Sequence, residues 1–293
     1  MKHAILILAH NNYNILKALL HQLDDPRIDI FVHMDLKAQD FDESKYMADV
    51  KKAKVTFIPR IKVGYCDYTM MEVVTALMRT ASQEYHDYYH VISGVDLLIQ
   101  KRDAFFAFFE QHAGQQFVAF TPNYVLDDRV KYRHYFIAKW RQKSHWKSVF
   151  YIKLRKTLIS LQKVCGMSVK PDMEIKKGAD WYSITHDAVK YMLSQEEHFR
   201  KYFFRSYCPT EFFPQTVLWN SPFRNQLFNL DKNDENAEDM RQIDWERGSP
   251  YTYKIEDKEI LLKSPYMFAR KFDEKTDSNI IQFLENYVAG GIE

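Results

Sequence analysis

The sequence contains few cysteines and lacks the common glycine-rich nucleotide motifs. Its three cysteines, Cys66, Cys165 and Cys208, form no C-x-x-C pair, and no histidine or cysteine cluster has the spacing of metal ligands. We therefore expect free thiols in a reducing compartment. Neither G-x-G-x-x-G nor G-x-x-x-x-G-K-[ST] occurs, so the sequence supports neither a dinucleotide-binding fold nor a P-loop.

The chain also lacks a strong excess of one charge and a long apolar run. Its 41 basic and 39 acidic residues give a net charge of +2, which is no general argument for nucleic-acid binding. The N-terminal apolar run stops at Ala9. It is too short to cross a membrane and is not followed by a signal-peptide cleavage site. With 46% hydrophobic residues among 293, we expect a globular protein of the cytoplasm.

Strand and helix patterns alternate through the first 115 residues. Residues 4–9 form a continuous apolar run, which is typical of a strand buried on both faces. Further strands are predicted over 30–35, 55–59 and 88–92, and helices over 13–23 and 70–80. This alternation predicts an α/β fold with a mostly parallel central sheet flanked by helices.

Polar residues follow each of the four predicted strands. In sheets of this kind, ligands bind beyond the carboxyl ends of the strands. The residues at these ends are His10, Asn11, Asp35, Arg60, Ser93, Gly94 and Asp96. Their position predicts a nucleotide site at this edge of the sheet.

One acid, Glu211, lies in an apolar and aromatic setting within residues 206–216. A carboxylate with such neighbours loses hydration, which raises its pKa toward the range of a general base. The alternative is an acid at a helix start after Pro209, where the helix dipole favours negative charge.

Seven short motifs, in order from Ala4 to Asp273, carry a resemblance to one family. The motifs are A-I-L-I-L-A-H (4–10), F-V-H-M-D (31–35), I-S-G-V-D (92–96), K-G-A-D-W-Y-S-I-T (177–185), P-T-E-F-F-P-Q-T (209–216), D-W-E-R-G-S-P (244–250) and F-A-R-K-F-D (268–273). Together they resemble the core-2/I-branching β-1,6-N-acetylglucosaminyltransferases, a family that also includes xylosyltransferases.

The resemblance implies a GT-A-like fold and an inverting transfer from a UDP-sugar, most often UDP-N-acetylglucosamine. Other GT-A enzymes usually carry a metal-binding D-x-D near the end of the fourth strand, but this family lacks it, and here residues 93–96 read S-G-V-D. We interpret Asp40-Phe41-Asp42 as a solvated loop. No metal and no other cofactor is therefore expected, since the UDP-sugar is a substrate.

The resemblance also implies roles for individual residues. Glu211 matches the catalytic base, with Thr210 where many members carry Asp. It would take a proton from an acceptor hydroxyl, which attacks the anomeric carbon and gives a β linkage. Lys271, with Arg270 beside it, would neutralise the departing diphosphate. Arg247 and Lys254 are the candidates for a second basic residue there.

On the acceptor side, the resemblance points to Asp128, Arg129 and Arg133. Trp245 lies in an acceptor-side motif, and Trp181 precedes a predicted strand at a loop edge. A tryptophan in either place offers a flat apolar surface for a sugar ring, although a tryptophan in such a place is more often a core residue. We expect one GT-A-like domain over 1–293, with a nucleotide-sugar half (1–115) and an acceptor-binding and catalytic half (116–293).

The region 117–173 is rich in basic and aromatic residues, among them Arg141, Lys143, Trp146 and Lys147. Three interpretations stay open: a nucleic-acid surface, a membrane-facing amphipathic helix over 145–164, and a helix that packs on the domain. The second would place the protein at the inner face of the membrane. Two rivals to the favoured activity are xylosyl transfer and a non-enzymatic nucleic-acid- or glycan-binding role. The polar run 231–239 is predicted to be a surface loop, and 277–288 a final helix.

Overall fold

A computed structural model describes residues 1–140 and 145–290, so Arg141 and Lys143 lie outside the described residues. It contains nine strands in the described part of the chain. They are β1 (His3–Ala9), β2 (Ile28–Met34), β3 (Lys54–Phe57), β4 (Tyr88–Ser93), β5 (Leu97–Leu98), β6 (Phe117–Val118), β7 (Tyr182–Thr185), β8 (Arg241–Ile243) and β9 (Phe268–Arg270).

Six of these strands form the central sheet, in the order β3-β2-β1-β4-β7-β6. Strands β1 to β4 run parallel to one another, whereas β7 runs antiparallel to β4 and β6. The prediction of an α/β fold with a mostly parallel sheet is confirmed. The predicted strand and helix ends differ from the observed ones by at most two residues here, because end residues contribute little to the periodicity.

Twelve α-helices accompany the strands within the described residues. They are α1 (Tyr13–Gln22), α2 (Glu43–Met47), α3 (Tyr68–Ala81), α4 (Arg102–Gln111), α5 (Asp128–Lys131), α6 (His145–Val164), α7 (His186–Ser194), α8 (Glu196–Phe203), α9 (Phe213–Trp219), α10 (Glu235–Asp239), α11 (Lys258–Lys263) and α12 (Ser278–Val288). The predicted helices 145–164 and 277–288 correspond to α6 and α12, the latter with Asp277 as its N-cap.

The sheet separates two apolar layers. Ile5 and Ile7 of β1 pack into one layer with α1, α4 and α12, and Ala4 and Leu6 pack into the other with α3, α7, α8 and α9. Successive side chains of a strand point to opposite faces, so a strand covered on both sides must be apolar throughout. Each buried isoleucine stabilises the fold by roughly 1.5–3 kcal/mol.

A smaller sheet in the order β5-β9-β8 lies beside the carboxyl end of β4. Leu98 of β5 pairs with Phe268 of β9 in antiparallel register, and β9 pairs with β8 in parallel. Because β5 follows β4 after a short turn, this pairing brings the F-A-R-K-F-D motif to the turn at residues 93–96.

The prediction of a surface loop over 231–239 is wrong for residues 235–239, whereas residues 231–234 are exposed as predicted. Residues 235–239 form α10, and Glu238 and Asp239 are each only 1% exposed. The backbone N–H of Phe120 donates to Glu238 (2.7 Å), and that of Arg241 donates to Asp239 (3.0 Å). Acidic composition predicts solvent exposure, but here both carboxylates accept bonds from buried donors that the sequence does not reveal.

The expectation of free thiols is wrong for two of the three cysteines. Cys66 and Cys208 form a disulfide across a sequence separation of 142 residues, and Cys165 is free and exposed. No spacing rule finds such a pair, because only the tertiary fold brings the two segments together. A cytoplasmic location stays a prediction, and a lasting disulfide is rare there. Within 1–140 and 145–290, no helix has the length and apolar character to cross a membrane.

Candidate active site

The carboxyl ends of the parallel strands meet at one edge of the sheet. The N–H of Asp35, after β2, donates to the carbonyl of Ala9 (2.9 Å), and the N–H of Gly94, after β4, donates to that of Leu8 (2.8 Å). A Cβ on Gly94 would lie 2.7 Å from the Ala9 Cβ, so this close approach requires glycine. The structure thus brings together His10, Asp35 and Gly94 as the sequence predicted.

Several polar residues at this edge hold the backbone of the site. Asp96 is 2% exposed and accepts bonds from the Ser93 N–H (2.8 Å) and hydroxyl (2.7 Å). The Arg60 guanidinium donates to the carbonyls of Met34, Asp35 and Ala38. His10 and Asn11 are exposed beside them. Asp96, Ser93 and Arg60 thus shape the edge of the sheet, whereas His10 and Asn11 face solvent. Donor binding by all of these residues stays a prediction.

The segment 270–272 lies against the turn after β4. The Phe272 N–H donates to the Val95 carbonyl (3.0 Å), and Arg270 Nε lies 3.7 Å from Asp96 Oδ1. The Lys271 backbone is fixed on both sides, since its N–H donates to the Tyr251 carbonyl and its carbonyl accepts from Tyr253. Its ammonium group makes no hydrogen bond or ion pair to the described residues, so a positive charge remains available at the predicted diphosphate position.

The two candidates for a second basic residue differ in how far they are engaged. Arg247 bonds Asp244 and, at 2.7 Å, Asp257, and its guanidinium lies 3.9 Å from the Tyr251 ring centroid. Lys254 donates its backbone N–H to Asp257 (2.9 Å), and its side chain is half-buried. Arg247 is thus already paired with two carboxylates. Which of the two residues acts with Lys271 stays open, and a role for either at the diphosphate stays a prediction.

Glu211 ends a 3₁₀ turn (Pro209–Glu211) that leads into α9. Pro209 is suited to the first position of such a turn, because its φ is preset and its missing N–H would have no partner there. The Glu211 side chain is 25% exposed. Arg129 Nη1 donates to Glu211 Oε2 at 3.0 Å, and Lys177 Nζ lies 3.5 Å from the same oxygen.

The K-G-A-D-W motif supplies the other wall of this site. The Gly178 N–H donates to the Glu211 carbonyl (2.9 Å), and a Cβ on Gly178 would lie 1.8 Å from the Ala119 carbonyl oxygen. Only glycine fits at such an approach. Lys177 and Asp180, two charged residues of the same motif, were not predicted as site residues. Their presence in a motif that also contains the proposed sugar-stacking Trp181 was the signal that could have found them.

Burial and, after it, the negative charge of Asp180 raise the pKa of Glu211, while Lys177 and Arg129 oppose the shift. Burial also raises the pKa of Asp180, whose Oδ1 is buried and has no hydrogen-bond partner among the described residues. A carboxylate with a raised pKa is a better proton acceptor near neutral pH. The sequence-based expectation of a desolvated Glu211 agrees with this arrangement.

The predicted acceptor residues fall in three different environments. Arg129 contacts Glu211, and Asp128 forms an ion pair with Lys163 (2.7 Å). The Arg133 guanidinium donates to backbone carbonyls at the C-terminal end of α8. Trp181 is 9% exposed within the apolar layer, whereas Trp245 is 58% exposed. Trp245 therefore has a face open to a ligand, whereas Arg129 is engaged by Asp127 and Glu211 and Arg133 has a structural task. Acceptor binding by all of them stays a prediction.

The two aspartates of the D-x-D string at 40–42 make structural hydrogen bonds, and they do not belong to a group of metal ligands within the described residues. Asp40 accepts the Tyr13 hydroxyl (2.8 Å), and Asp42 caps α2 through the Ser44 N–H (3.1 Å). Among residues 1–140 and 145–290, no group of three His, Cys, Asp or Glu side chains is placed to hold a metal ion.

Two surface clefts lie away from Glu211. One is lined by Arg133, Glu197, Arg200, Lys201, Phe204 and Arg205. The other is lined mainly by residues of the N-terminus, 85–88, 113–115, 185–187 and 223–227. Glu211 lines neither of these clefts. The candidate site is therefore identified from the strand ends and from the contacts of Glu211.

The architecture is an α/β fold with polar residues at the carboxyl ends of its parallel strands, the edge at which sheets of this kind bind ligands. The sequence model of the Core-2/I-Branching enzyme family matches residues 4–262. The chain belongs to this family, and the protein is therefore a glycosyltransferase. Membership implies a nucleotide-sugar donor and a glycan acceptor.

Comparison with solved structures shows similarity to mouse xyloside xylosyltransferase 1 in its apo form. The identity is 10%, the match covers 74% of this chain and 81% of that chain, and the TM-score is 0.35. A similarity of this size carries no conclusion about activity. Comparison with curated proteins found no significant match.

Proposed function

We propose that this glycosyltransferase inverts the anomeric centre and works without a metal, moving N-acetylglucosamine from UDP-N-acetylglucosamine to a glycan hydroxyl. The observation that carries the proposal is the environment of Glu211. The carboxylate is three-quarters buried, contacts two cations, and has a raised pKa. It is the general base of the proposed reaction.

The proposed step is a single displacement. Glu211 takes the proton of the acceptor hydroxyl while that oxygen forms a bond to the anomeric carbon. The bond from the anomeric carbon to the diphosphate oxygen breaks with its electron pair, and UDP leaves. An α-linked donor then gives a β-linked product, because the oxygen attacks from the face opposite the diphosphate.

The leaving diphosphate gains negative charge, which the basic residues beside β4 and β9 are placed to stabilise. The Lys271 ammonium group has no partner within the described residues, and Arg270 approaches the same turn through Asp96. Fixed positive groups of this kind supply the charge stabilisation that a divalent ion supplies in other transferases. This supports a reaction in which no metal takes part.

Binding of UDP-N-acetylglucosamine measured by calorimetry in EDTA tests the donor and the metal independence together. We expect binding by the wild type, weaker binding by Lys271→Ala, and unchanged binding by Lys275→Ala, an exposed lysine four residues away. Binding that appears only with added manganese contradicts metal independence. Preferential binding of UDP-xylose makes the protein a xylosyltransferase instead.

The role of Glu211 has its own test. Glu211→Gln keeps the size of the side chain but cannot accept a proton, so we expect turnover to fall about 10²- to 10⁴-fold. Binding of UDP-N-acetylglucosamine should stay unchanged, and Glu259→Gln, an exposed residue of α11, serves as the control. Full turnover by Glu211→Gln would show that another group is the base.

A further inference from the structure

Residues 129–171 carry a strong excess of positive charge. This segment has 12 of the chain's 41 basic residues and none of its 39 acidic residues. Its formal charge is therefore +12, and the rest of the chain, with 29 basic and 39 acidic residues, carries −10. A separation of charge this strong on a chain of net charge +2 creates a local attraction for an anionic partner.

The long helix α6 lies inside this segment and rests on the protein by one face. Arg155 stacks over Trp140 (4.2 Å to the ring centroid) and Tyr207 (5.0 Å). Gln162 exchanges two hydrogen bonds of 2.9 Å with the backbone of Arg133. These contacts fix which side of α6 faces the domain and which side faces outward.

The outward side is an exposed apolar stripe. It consists of Trp146 (68% exposed), Phe150 (55%), Leu161 (54%) and Val164 (85%). At 3.6 residues per turn these four side chains fall within an arc of about 60°. None of the twenty residues of this described helix is fully buried. Thr157, also exposed, falls within the same arc between the Trp146–Phe150 pair and the Leu161–Val164 pair. Exposed apolar side chains grouped in this way on one outer face are typical of a binding surface.

Lysines flank the stripe on both sides, with Lys147 along one edge and Lys153 and Lys156 along the other, all three exposed. The helix contains no acid. Apolar side chains along the centre with lysines at the edges are the pattern of a helix that lies in the interface of a bilayer. In a helix of this kind, the central apolar side chains enter the headgroup region and the lysines contact anionic lipids.

We propose that α6 and the basic surface around it bind an anionic lipid bilayer, with the helix lying in the plane of the membrane. The phosphates of a nucleic acid could neutralise the basic side chains. A nucleic acid would, however, bury neither Leu161 nor Val164, the aliphatic side chains at one end of the stripe. The cleft lined by Arg133, Arg200, Lys201 and Arg205 extends the basic surface, since Arg133 also contacts α6.

The proposed membrane-binding surface of α6 is connected to Glu211, the proposed base, through two short contacts. Lys163 of α6 pairs with Asp128 (2.7 Å), and the next residue, Arg129, donates to Glu211 (3.0 Å). If the proposed function holds, this adjacency indicates an acceptor presented at the membrane surface, as a glycan attached to a lipid. Membrane binding itself does not depend on that function.

Co-sedimentation of the 293-residue protein with vesicles tests the proposal. We expect binding to phosphatidylcholine vesicles that contain phosphatidylglycerol, weak binding to phosphatidylcholine alone, and loss of binding as salt is raised. Trp146→Ser/Phe150→Ser and Lys153→Glu/Lys156→Glu should each weaken binding about tenfold or more.

Matched variants elsewhere on the surface control for apolar loss and for charge. Met47→Ser/Val125→Ser removes two exposed apolar side chains, and Lys52→Glu/Lys190→Glu reverses two exposed lysines. Both should change vesicle affinity less than twofold. Circular dichroism checks that every variant keeps its fold, and calorimetric binding of UDP-N-acetylglucosamine reports the donor site separately.

Two outcomes overturn the proposal. One is absence of binding to anionic vesicles, or binding that the α6 variants do not change. The other is tight binding to a single-stranded oligonucleotide that Trp146→Ser/Phe150→Ser leaves unchanged while vesicle binding stays weak, which assigns the basic surface to a nucleic acid. Failure of UDP-sugar binding with intact vesicle binding contradicts the proposed function and leaves the membrane surface standing.

Discussion

The guanidinium of Arg270 lies over the indole ring of Trp181, 4.6 Å from its centroid. Trp181 follows Asp180 in the segment that contacts Glu211, and Arg270 approaches Asp96 in the turn after β4. One stacking contact therefore connects the surroundings of the proposed base with the proposed diphosphate site. It also explains why a tryptophan predicted as a sugar platform lies within the apolar layer.

This contact predicts a graded response at Trp181. Trp181→Leu removes the ring face and part of the packing, so we expect a loss of about 2–3 kcal/mol in the free energy of unfolding. Trp181→Phe keeps a smaller ring and should cost about half as much. Urea denaturation measures both, and equal losses for the two variants would show that the aromatic face under Arg270 contributes nothing to stability.

The charges around Glu211 predict the pH dependence of turnover. The base must be ionised, so the rate should fall as pH drops through the raised pKa of Glu211. Asp180→Asn removes a negative charge that raises this pKa, so it should move the acid limb of the kcat profile to lower pH. Lys177→Met removes a positive charge that lowers it and should move the limb to higher pH. Shifts of both variants in the same direction would contradict the assignment.

Glu238 predicts a pH dependence of stability. Burial raises its pKa to about 7, against 4.5 for the unfolded chain. Between these values the folded state holds a proton that the unfolded state has released, so the free energy of unfolding falls as pH rises from about 4.5 to 7. The total is roughly 3 kcal/mol.

Glu238→Gln offers a direct check, because the amide oxygen can still accept the Phe120 N–H and the group no longer titrates. We expect this variant to be more stable than the wild type at pH 8 and to lose most of the dependence between pH 5 and 7. Urea denaturation at several pH values measures both effects. An unchanged slope would assign the dependence to other groups.

The disulfide between Cys66 and Cys208 lies beside the candidate site, and we expect it to stabilise the fold. Replacing either cysteine by serine should lower the free energy of unfolding by about 2–4 kcal/mol, because the open chain gains entropy when unfolded. Cys165→Ser is the matched control, since that thiol is exposed and free, and it should change stability by less than about 0.5 kcal/mol.

Alkylation of the denatured, unreduced protein followed by mass spectrometry counts the free thiols. One modified cysteine agrees with the disulfide, whereas three modified cysteines would show that the pair is reduced. Because the Glu211 N–H donates to the Cys208 carbonyl (3.1 Å), the serine variants should also lower turnover more than Cys165→Ser does.

Local patterns determined the central sheet. The run at 4–9 is apolar without a break, and that pattern alone predicts a strand covered on both faces, as β1 is. The same holds for α6, whose predicted and observed ends coincide. Strand ends follow from the strands, so the gathering of His10, Asp35 and Gly94 at one edge could also be predicted.

Contacts between distant segments were decided by the tertiary structure. Nothing in the spacing of Cys66 and Cys208 indicates that they join, and nothing in the acidic run 231–239 indicates that Glu238 is buried. The motif at 177–185 marks Lys177 and Asp180 as candidate site residues, but only the packing places them beside Glu211. Periodicity records how each residue relates to its own helix or strand. Which side chains meet across elements depends on how those elements pack, and that information is shared among residues far apart in the chain.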